Sequence, residues 1–153
     1  MKINLIHVDG QKMGGFQNIN SVMSDDEESV WCDLRNLDAV VDDAEAEYIL
    51  ARDVINYVPL EEMGSTVAHW SSKLRHGGKI SIGAVDLKEL SRMVHTGEIS
   101  EQESNIALYG SPVKVKRNIF NIKTLTDFLS SVGLQIIKSK INGYNMIVEA
   151  QRP

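Results

Sequence analysis

Several side chains in this 153-residue chain have the type and position to do chemistry. His7 follows the apolar run Ile3 to Ile6, and an imidazole at the end of a strand, where α/β sheets build their sites, is a candidate general base. A lone histidine without an orienting partner nearby in sequence is more often structural or simply exposed. Asp53 and Tyr57 follow a second apolar run, Tyr48 to Ala51, and fall at the same edge as candidate cofactor or substrate contacts; Tyr57 reads equally as a packed aromatic with its hydroxyl at the surface. Asp9-Gly10 with Gly14-Gly15 reads either as a glycine loop that lets a ligand approach the backbone or as a flexible turn between two strands. Lys114-Val115-Lys116-Arg117 is a basic tip suited to an anionic group, or a solvated face. Cys32 reads better as a small buried hydrophobe than as a nucleophile, because no histidine lies nearby in sequence to activate it. No Cys-x-x-Cys or His-Glu-x-x-His pattern occurs, His69, His76 and His95 form no ligand set with Cys32, and no metal is assigned.

The elements that must position these residues alternate between strand and helix. Short strands are predicted at Ile3 to Ile6, Gln17 to Val22, Val30 to Leu34 and Tyr48 to Ala51, with Asp25 to Glu28 as a loop. Met63, Val67, Trp70 and Leu74 then recur at helical spacing and predict an amphipathic helix, opened near Pro59 and stopped by Gly77-Gly78, with Lys73 and Arg75 complementing its negative end. Lys79 to Val85 is a fifth strand. Two capping-box patterns, Asp86 with Glu89 and Ser100 with Glu103, open two further helices that leave through Gly97 and Gly110. Asn121 is predicted to cap a last helix that ends at Gly133. Leu134 to Ala150 reads as two strands around Asn142-Gly143, the pair suited to a type I′ turn. Only about ten residues separate the first two strands, too few for a full crossover helix, so the first half of the fold is expected to be shortened. Two short strands there leave a weak sheet edge that self-association as a homo-oligomer would cover.

Composition sets bounds on what this chain can be. It is 42% hydrophobic and 24% charged, the make-up of one ordinary globular domain over residues 1–153. The formal charge of −5 is uneven: residues 1–62 carry fourteen acidic against four basic side chains, so the first part is strongly acidic and the remainder basic. That balance argues against general nucleic-acid binding. No apolar run approaches a membrane span and the N-terminus has no signal-peptide pattern, so a cytoplasmic protein without membrane association is expected.

In this order the elements resemble the class I S-adenosylmethionine-dependent methyltransferases, and among them a small group that opens with Lys-Leu-Asn-Leu-Gly-Cys-Gly. Lys2-Ile3-Asn4-Leu5 matches that opening, and Gly15-Phe16-Gln17-Asn18-Ile19-Asn20 is similar to the group's second strand. Ala51 to Val58 falls on its Ala-Ser-His-Val-Leu-Glu-His segment, Lys73 to Ile80 on its Val-Leu-Lys-Pro-Gly-Gly-Lys-Leu, and Phe120 to Gly133 on its last helix. The resemblance implies a reduced Rossmann-like methyltransferase fold of class α/β, a mostly parallel sheet ending in an antiparallel hairpin. It implies S-adenosylmethionine as cofactor, at the C-terminal edge of the first, second and fourth strands. Asp33 and Leu34 take the place of the family's adenine-contacting pair, Asn20 that of the acid on the ribose hydroxyls, and His7, Asp9, Gly10 and Asp53 surround the rest of the cofactor. Tyr57 with Lys114, Lys116 and Arg117 would meet the acceptor. The chain departs from the pattern where the cofactor's amino-acid end lies: Ile6, His7 and Val8 replace glycines, and Asp53, Asn56 and Tyr57 replace His, Glu and His. β-branched residues at those glycine positions are expected to resist a positive φ.

Two functions follow. One is methyl transfer to a small-molecule or saccharide acceptor, which needs alignment of donor and acceptor more than a catalytic triad. The other is a non-catalytic domain that keeps the fold and binds a different ligand or a partner. Side chains filling the space around Ile6 to Val8 would favour the second, and a ligand-sized cleft the first.

Overall fold

The computed structural model describes all 153 residues. Seven strands form one sheet: β1 (Lys2–Ile6), β2 (Gln17–Asn20), β3 (Ser29–Trp31), β4 (Ala46–Arg52), β5 (Leu74–Val85), β6 (Gln135–Asn142) and β7 (Asn145–Gln151). Their order across the sheet is β3-β2-β1-β4-β5-β7-β6. Strands β1 to β5 pair in parallel, and β7 runs antiparallel to both β5 and β6. Four helices accompany them: α1 (Met63–Lys73), α2 (Leu87–Thr96), α3 (Glu101–Tyr109) and α4 (Ile122–Ser131). This is the mostly parallel sheet with a reversed final strand that the sequence predicts. The shortening of the first half is also present, since none of the connections from β1 to β4 contains a helix.

Alternation along the strands sorts the two faces of the sheet. Ile3, Leu5, Ile19, Ile49, Ile80 and Ile82 join Met63, Val67 and Trp70 of α1 and Leu125 and Leu129 of α4 in one core. The two helices meet closely: a Cβ on Gly64 would stand 3.1 Å from the Phe128 ring. Opposite them, where crossover helices are missing, the segment between β1 and β2 folds back over the sheet. Buried Asn4 and Asn18 hold it there, Asn4 donating to Gln11 O (2.9 Å) and to Asn18 Oδ1 (2.8 Å), which also accepts from Met13 N–H (2.9 Å). Polar side chains thus replace a helix as the packing partner of β1 and β2. A second, smaller core of Val85, Leu90 and Ala107 seats α2 and α3 beyond the end of β5.

Local signals in the sequence hold where their hydrogen bonds are local. Asp86 accepts from Glu89 N–H and Ser100 from Glu103 N–H, and Gly97 closes α2 with φ +75. Five local expectations need correction. Helix α1 stops at Lys73, before the glycine pair, because Leu74 becomes extended to pair with Ala46. Gly77-Gly78 then lies inside β5, where a Cβ on Gly78 would stand 2.8 Å from Ala46 O. Lys73 is buried between Asp38 and Asp43 rather than facing solvent at the helix end. Asn121 makes no side-chain cap; Asp86 Oδ2 takes the Ile122 N–H at 2.8 Å and ties the start of α4 to that of α2. The final hairpin turns on Gly143-Tyr144, between paired Asn142 and Asn145, with positive φ at Gly143 alone, the glycine-first pattern of a type II′ turn. Strands β2 and β3 end at Asn20 and Trp31, short of Val22 and Leu34.

Candidate functional site

Past the C-terminal ends of β1, β3 and β4 lies a cleft of about 400 Å³, lined by His7, Ser21, Trp31, Asp33, Leu34, Arg35, Val54, Tyr57, Val58, Pro59 and Arg117. Helix α1 supports one wall of it without lining it. Trp70 Nε1 donates to Leu34 O at 2.8 Å, and His69 Nε2 accepts from Leu37 N–H at 2.8 Å, so the turn after β3 is held from behind. The Leu34 N–H makes no hydrogen bond within the chain, an unpaired backbone donor in a residue that lines the cleft. The Asp33 carboxylate is engaged by Arg35, Nε at 3.1 Å and Nη2 at 3.0 Å, and that guanidinium holds its pKa below the usual carboxylate range. Trp31, 55% exposed, offers an indole face on the same wall.

At the other end of the cleft the backbone after β1 has an unexpected shape. Val8 adopts φ +64, the left-handed conformation a β-branched residue was expected to resist. Neighbouring contacts enforce it: Asn20 Nδ2 donates to Val8 O (3.0 Å) and Val8 N–H reaches Ser21 Oγ (3.3 Å). Asn20 also accepts from Val22 N–H at 3.1 Å, so both ends of its buried amide serve the loop and neither lines the cleft. Gly10 lies against Ile6, where a Cβ would come within 2.9 Å of Ile6 Cγ2, and likewise lines no cleft. Of the space around Ile6 to Val8, Ile6 is therefore packed, while His7 forms a wall of an open cleft.

The His7 ring stacks on Tyr57, centroids 4.5 Å apart, and its Nδ1 lies 2.9 Å from Ser21 Oγ. Ser21 Oγ also accepts from Val8 N–H and keeps both a proton and a second lone pair, so it meets Nδ1 as donor or acceptor according to the imidazole tautomer. Burial and then the Lys114 charge lower the His7 pKa, so the ring is neutral at pH 7. Burial thus makes it a weaker base than a free imidazole. Tyr57 donates to Asp53 Oδ1 at 3.1 Å, and burial followed by the Asp53 charge pushes its pKa up to about 12, so the phenol keeps its proton. Cys32 is a buried thiol, its pKa raised by burial.

A second cleft, of about 450 Å³, opens beyond β4, β5 and the start of β7 against α3, with Arg52, Asp53, Ile106, Lys114, Lys116 and Tyr144 in its lining. Tyr57 lines both clefts. The structure divides the predicted basic tip: Arg117 goes to the first cleft, Lys114 and Lys116 to the second. Lys116 Nζ donates to Ala107 O at 2.9 Å, and burial lowers its pKa. The tip is anchored from within by Asn56 and Asn118, both buried. The Asn56 carbonyl accepts from Arg117 and Asn118 N–H, and its side chain bridges Val85 N–H (2.9 Å) and Asn118 O (3.2 Å).

Trp31, Ser21 and Asn56 were missed as functional residues by sequence reasoning. Trp31 carried one available signal, a large aromatic directly before the Cys32-Asp33-Leu34 stretch. Asn56 carried one too, its place among the departures from the family segment, but its partners lie outside its own segment.

The chain matches no family model and no curated protein. Solved structures do resemble it. A protein of Pyrococcus horikoshii OT3 is 20% identical, with a TM-score of 0.61 over 91% of this chain and 73% of that one. The 1,6-didemethyltoxoflavin-N1-methyltransferase of Burkholderia thailandensis, solved with 1,6-didemethyltoxoflavin and S-adenosylhomocysteine bound, is 12% identical with a TM-score of 0.60 over 90% of this chain and 60% of that one. Magnesium protoporphyrin IX methyltransferase from Synechocystis PCC 6803, solved with S-adenosylhomocysteine, is 14% identical with a TM-score of 0.57 over 91% and 65%. The chain thus spans less than two thirds of the length of either methyltransferase. These likenesses show the fold: this is a reduced Rossmann-like methyltransferase fold.

Proposed function

We propose that the first cleft binds an S-adenosylmethionine-type nucleoside and that the second takes a small anionic acceptor for methyl transfer. The observation that carries this reading is that the two clefts meet at one side chain, Tyr57. When bound, S-adenosylmethionine supplies an electrophilic methyl, so the protein has mainly to align its reactants. The Leu34 N–H and the Trp31 face hold the base, and the His7 ring and Arg117 are the polar groups toward the rest of the nucleoside. At the junction Asp9 and Asp53 are paired with Lys114, and burial makes His7 a weak base. The site therefore suits an acceptor that arrives as its own anion, such as a carboxylate, beside Arg52 and Lys116.

Calorimetric titration with S-adenosylhomocysteine tests the nucleoside site. Micromolar binding is expected, weakened about tenfold by Trp31→Ala through lost base stacking. No heat up to millimolar ligand from the folded protein overturns the reading. A second reading, a nucleoside-binding domain without catalysis, is favoured by the replacement of the family's glycines with Ile6, His7 and Val8. Binding of S-adenosylhomocysteine without methylation of any anionic acceptor offered would select it.

A further inference from the structure

The order of the sheet reverses between β1 and β4. From β1 the chain steps outward through β2 to β3, then returns to place β4 on the other side of β1. In a parallel α/β sheet a crevice opens at the carboxyl ends of the two strands flanking such a reversal, and ligands bind there. In this molecule the crevice is bridged. Asp9, past the end of β1, and Asp53, directly after β4, flank it, and Lys114 Nζ stands 3.0 Å from a carboxylate oxygen of each. The same ammonium lies 5.1 Å from the centroid of the Tyr57 ring. Its side chain is 13% exposed, whereas those of Asp9 and Asp53 are 68% and 56% exposed.

Lys114 is delivered by a turn built for the purpose. Ser111-Pro112-Val113-Lys114 closes with Lys114 N–H on Ser111 O (3.1 Å), proline in its favoured second position. Gly110 enters that turn with φ +77, and a Cβ there would collide with the Lys114 carbonyl. Burial pulls the Lys114 pKa down, but the hydrogen bonds it donates to Asp53 and Asp9 outweigh it and leave it raised, so the ammonium is charged throughout the neutral range.

We infer that Asp9, Asp53 and the face of Tyr57 form a site for a cationic centre beside the junction of the two clefts, occupied by the Lys114 ammonium until the cation of a nucleoside bound in the first cleft takes its place. The inference rests on the nucleoside reading of the first cleft. Two carboxylates and an aromatic face are suited to a sulfonium, which has no N–H to donate and is attracted by charge and by the ring quadrupole. Two carboxylates against one ammonium leave the site with a net negative charge, and exchange of one cation for another leaves that charge unchanged. The four-carbon lysine stem is flexible enough to withdraw once its two charge-assisted hydrogen bonds are broken.

The test titrates the full chain with S-adenosylmethionine, S-adenosylhomocysteine and 5′-methylthioadenosine, the last a nucleoside with neither sulfonium nor amino-acid group. In Lys114→Met the dissociation constant for S-adenosylmethionine is expected to tighten at least tenfold, with 5′-methylthioadenosine unchanged within twofold. Lys114→Arg, which keeps the charge, is expected to retain the wild-type ratio. S-adenosylhomocysteine identifies the cation: tightening for S-adenosylmethionine alone assigns the sulfonium, and tightening for both assigns the α-ammonium. Weaker S-adenosylmethionine binding in Lys114→Met, or an equal shift for all three ligands, overturns the inference. Should Lys114→Met not fold, raising salt on the wild type is expected to narrow its preference for 5′-methylthioadenosine over S-adenosylmethionine, and a preference unmoved by salt overturns the inference. If 5′-methylthioadenosine binds but its ratio to S-adenosylmethionine ignores Lys114→Met, the inference alone fails; if no ligand binds either protein, the nucleoside reading fails with it.

Discussion

At the Trp31 end of the first cleft the indole stands 55% exposed, the Leu34 N–H has no partner, and the nearest carboxylate is held by a residue two positions away, Arg35. At the His7 end an imidazole is stacked on a phenol, and a lysine from a turn after α3 joins two carboxylates from separate strand ends. The first end is assembled by one segment with α1 behind it, and it stays open. The second end needs β1, β4 and the 110–118 segment together, and it is closed. A ligand therefore meets preformed surface at one end and must compete with the protein's own side chains at the other. On the proposed nucleoside reading, affinity for the base would be set by the open end and discrimination among ligands by the closed one.

The most severe way to break this contrast is to remove the post that holds the closed end. Asn56 is fully buried and its amide serves Val85 N–H and Asn118 O. Asn56→Ala leaves both without a partner and is expected to cost about 3 kcal/mol, read as a lower urea midpoint at unchanged slope. A cost under about 0.5 kcal/mol would show that the 110–118 segment is held by other contacts.

A smaller effect, of opposite sign, is expected from Val8→Gly. The left-handed φ of Val8 carries a penalty of about 1–2 kcal/mol that glycine escapes, partly offset by glycine's greater freedom in the unfolded chain. The variant should be about 0.5–1 kcal/mol more stable by urea unfolding. A destabilised Val8→Gly would mean that the valine side chain contributes packing larger than its strain.

The smallest expected effect is the dependence on pH. The pKa values of His7 and His69 are both lowered by folding, in each case by burial first, so the unfolded chain takes up protons before the folded one. Their contribution to stability is fully present above the unfolded value of 6.5 and is lost as pH falls below it. The unfolding midpoint should fall between pH 7 and pH 5, and His7→Gln should flatten part of that slope. A slope identical in the variant would assign the whole dependence to other groups.

Much of the fold was legible in the sequence, and the reason is range. The caps at Asp86 and Ser100, the stop at Gly97 and the stripe of Met63, Val67 and Trp70 each depend on hydrogen bonds or packing within a few residues, so their signals sit together in the chain. The failures occur where a distant element overrides a local preference. Gly77-Gly78 reads as a helix stop, yet Ala46 draws Leu74 into the sheet first. Asn121 reads as a cap, yet Asp86 reaches its helix from another element. Val8 reads as hostile to positive φ, yet Asn20 and Ser21 hold it there.

The candidate site divides in the same way. The sequence by itself determined that His7, Asp53 and Tyr57 would gather at one sheet edge, because strand direction and the parallel order place strand ends together. It determined too that Lys114, Lys116 and Arg117 would stand as a basic group. Only the tertiary structure decided that Arg117 faces one cleft and Lys116 the other, that Asn20 serves the loop, and that Lys114 crosses to Asp53, 61 residues away in the chain. A charge carries no mark of its partner in the sequence; which carboxylates a lysine meets is settled by the packing that brings their backbones within reach and by the burial that makes an unpaired ammonium costly.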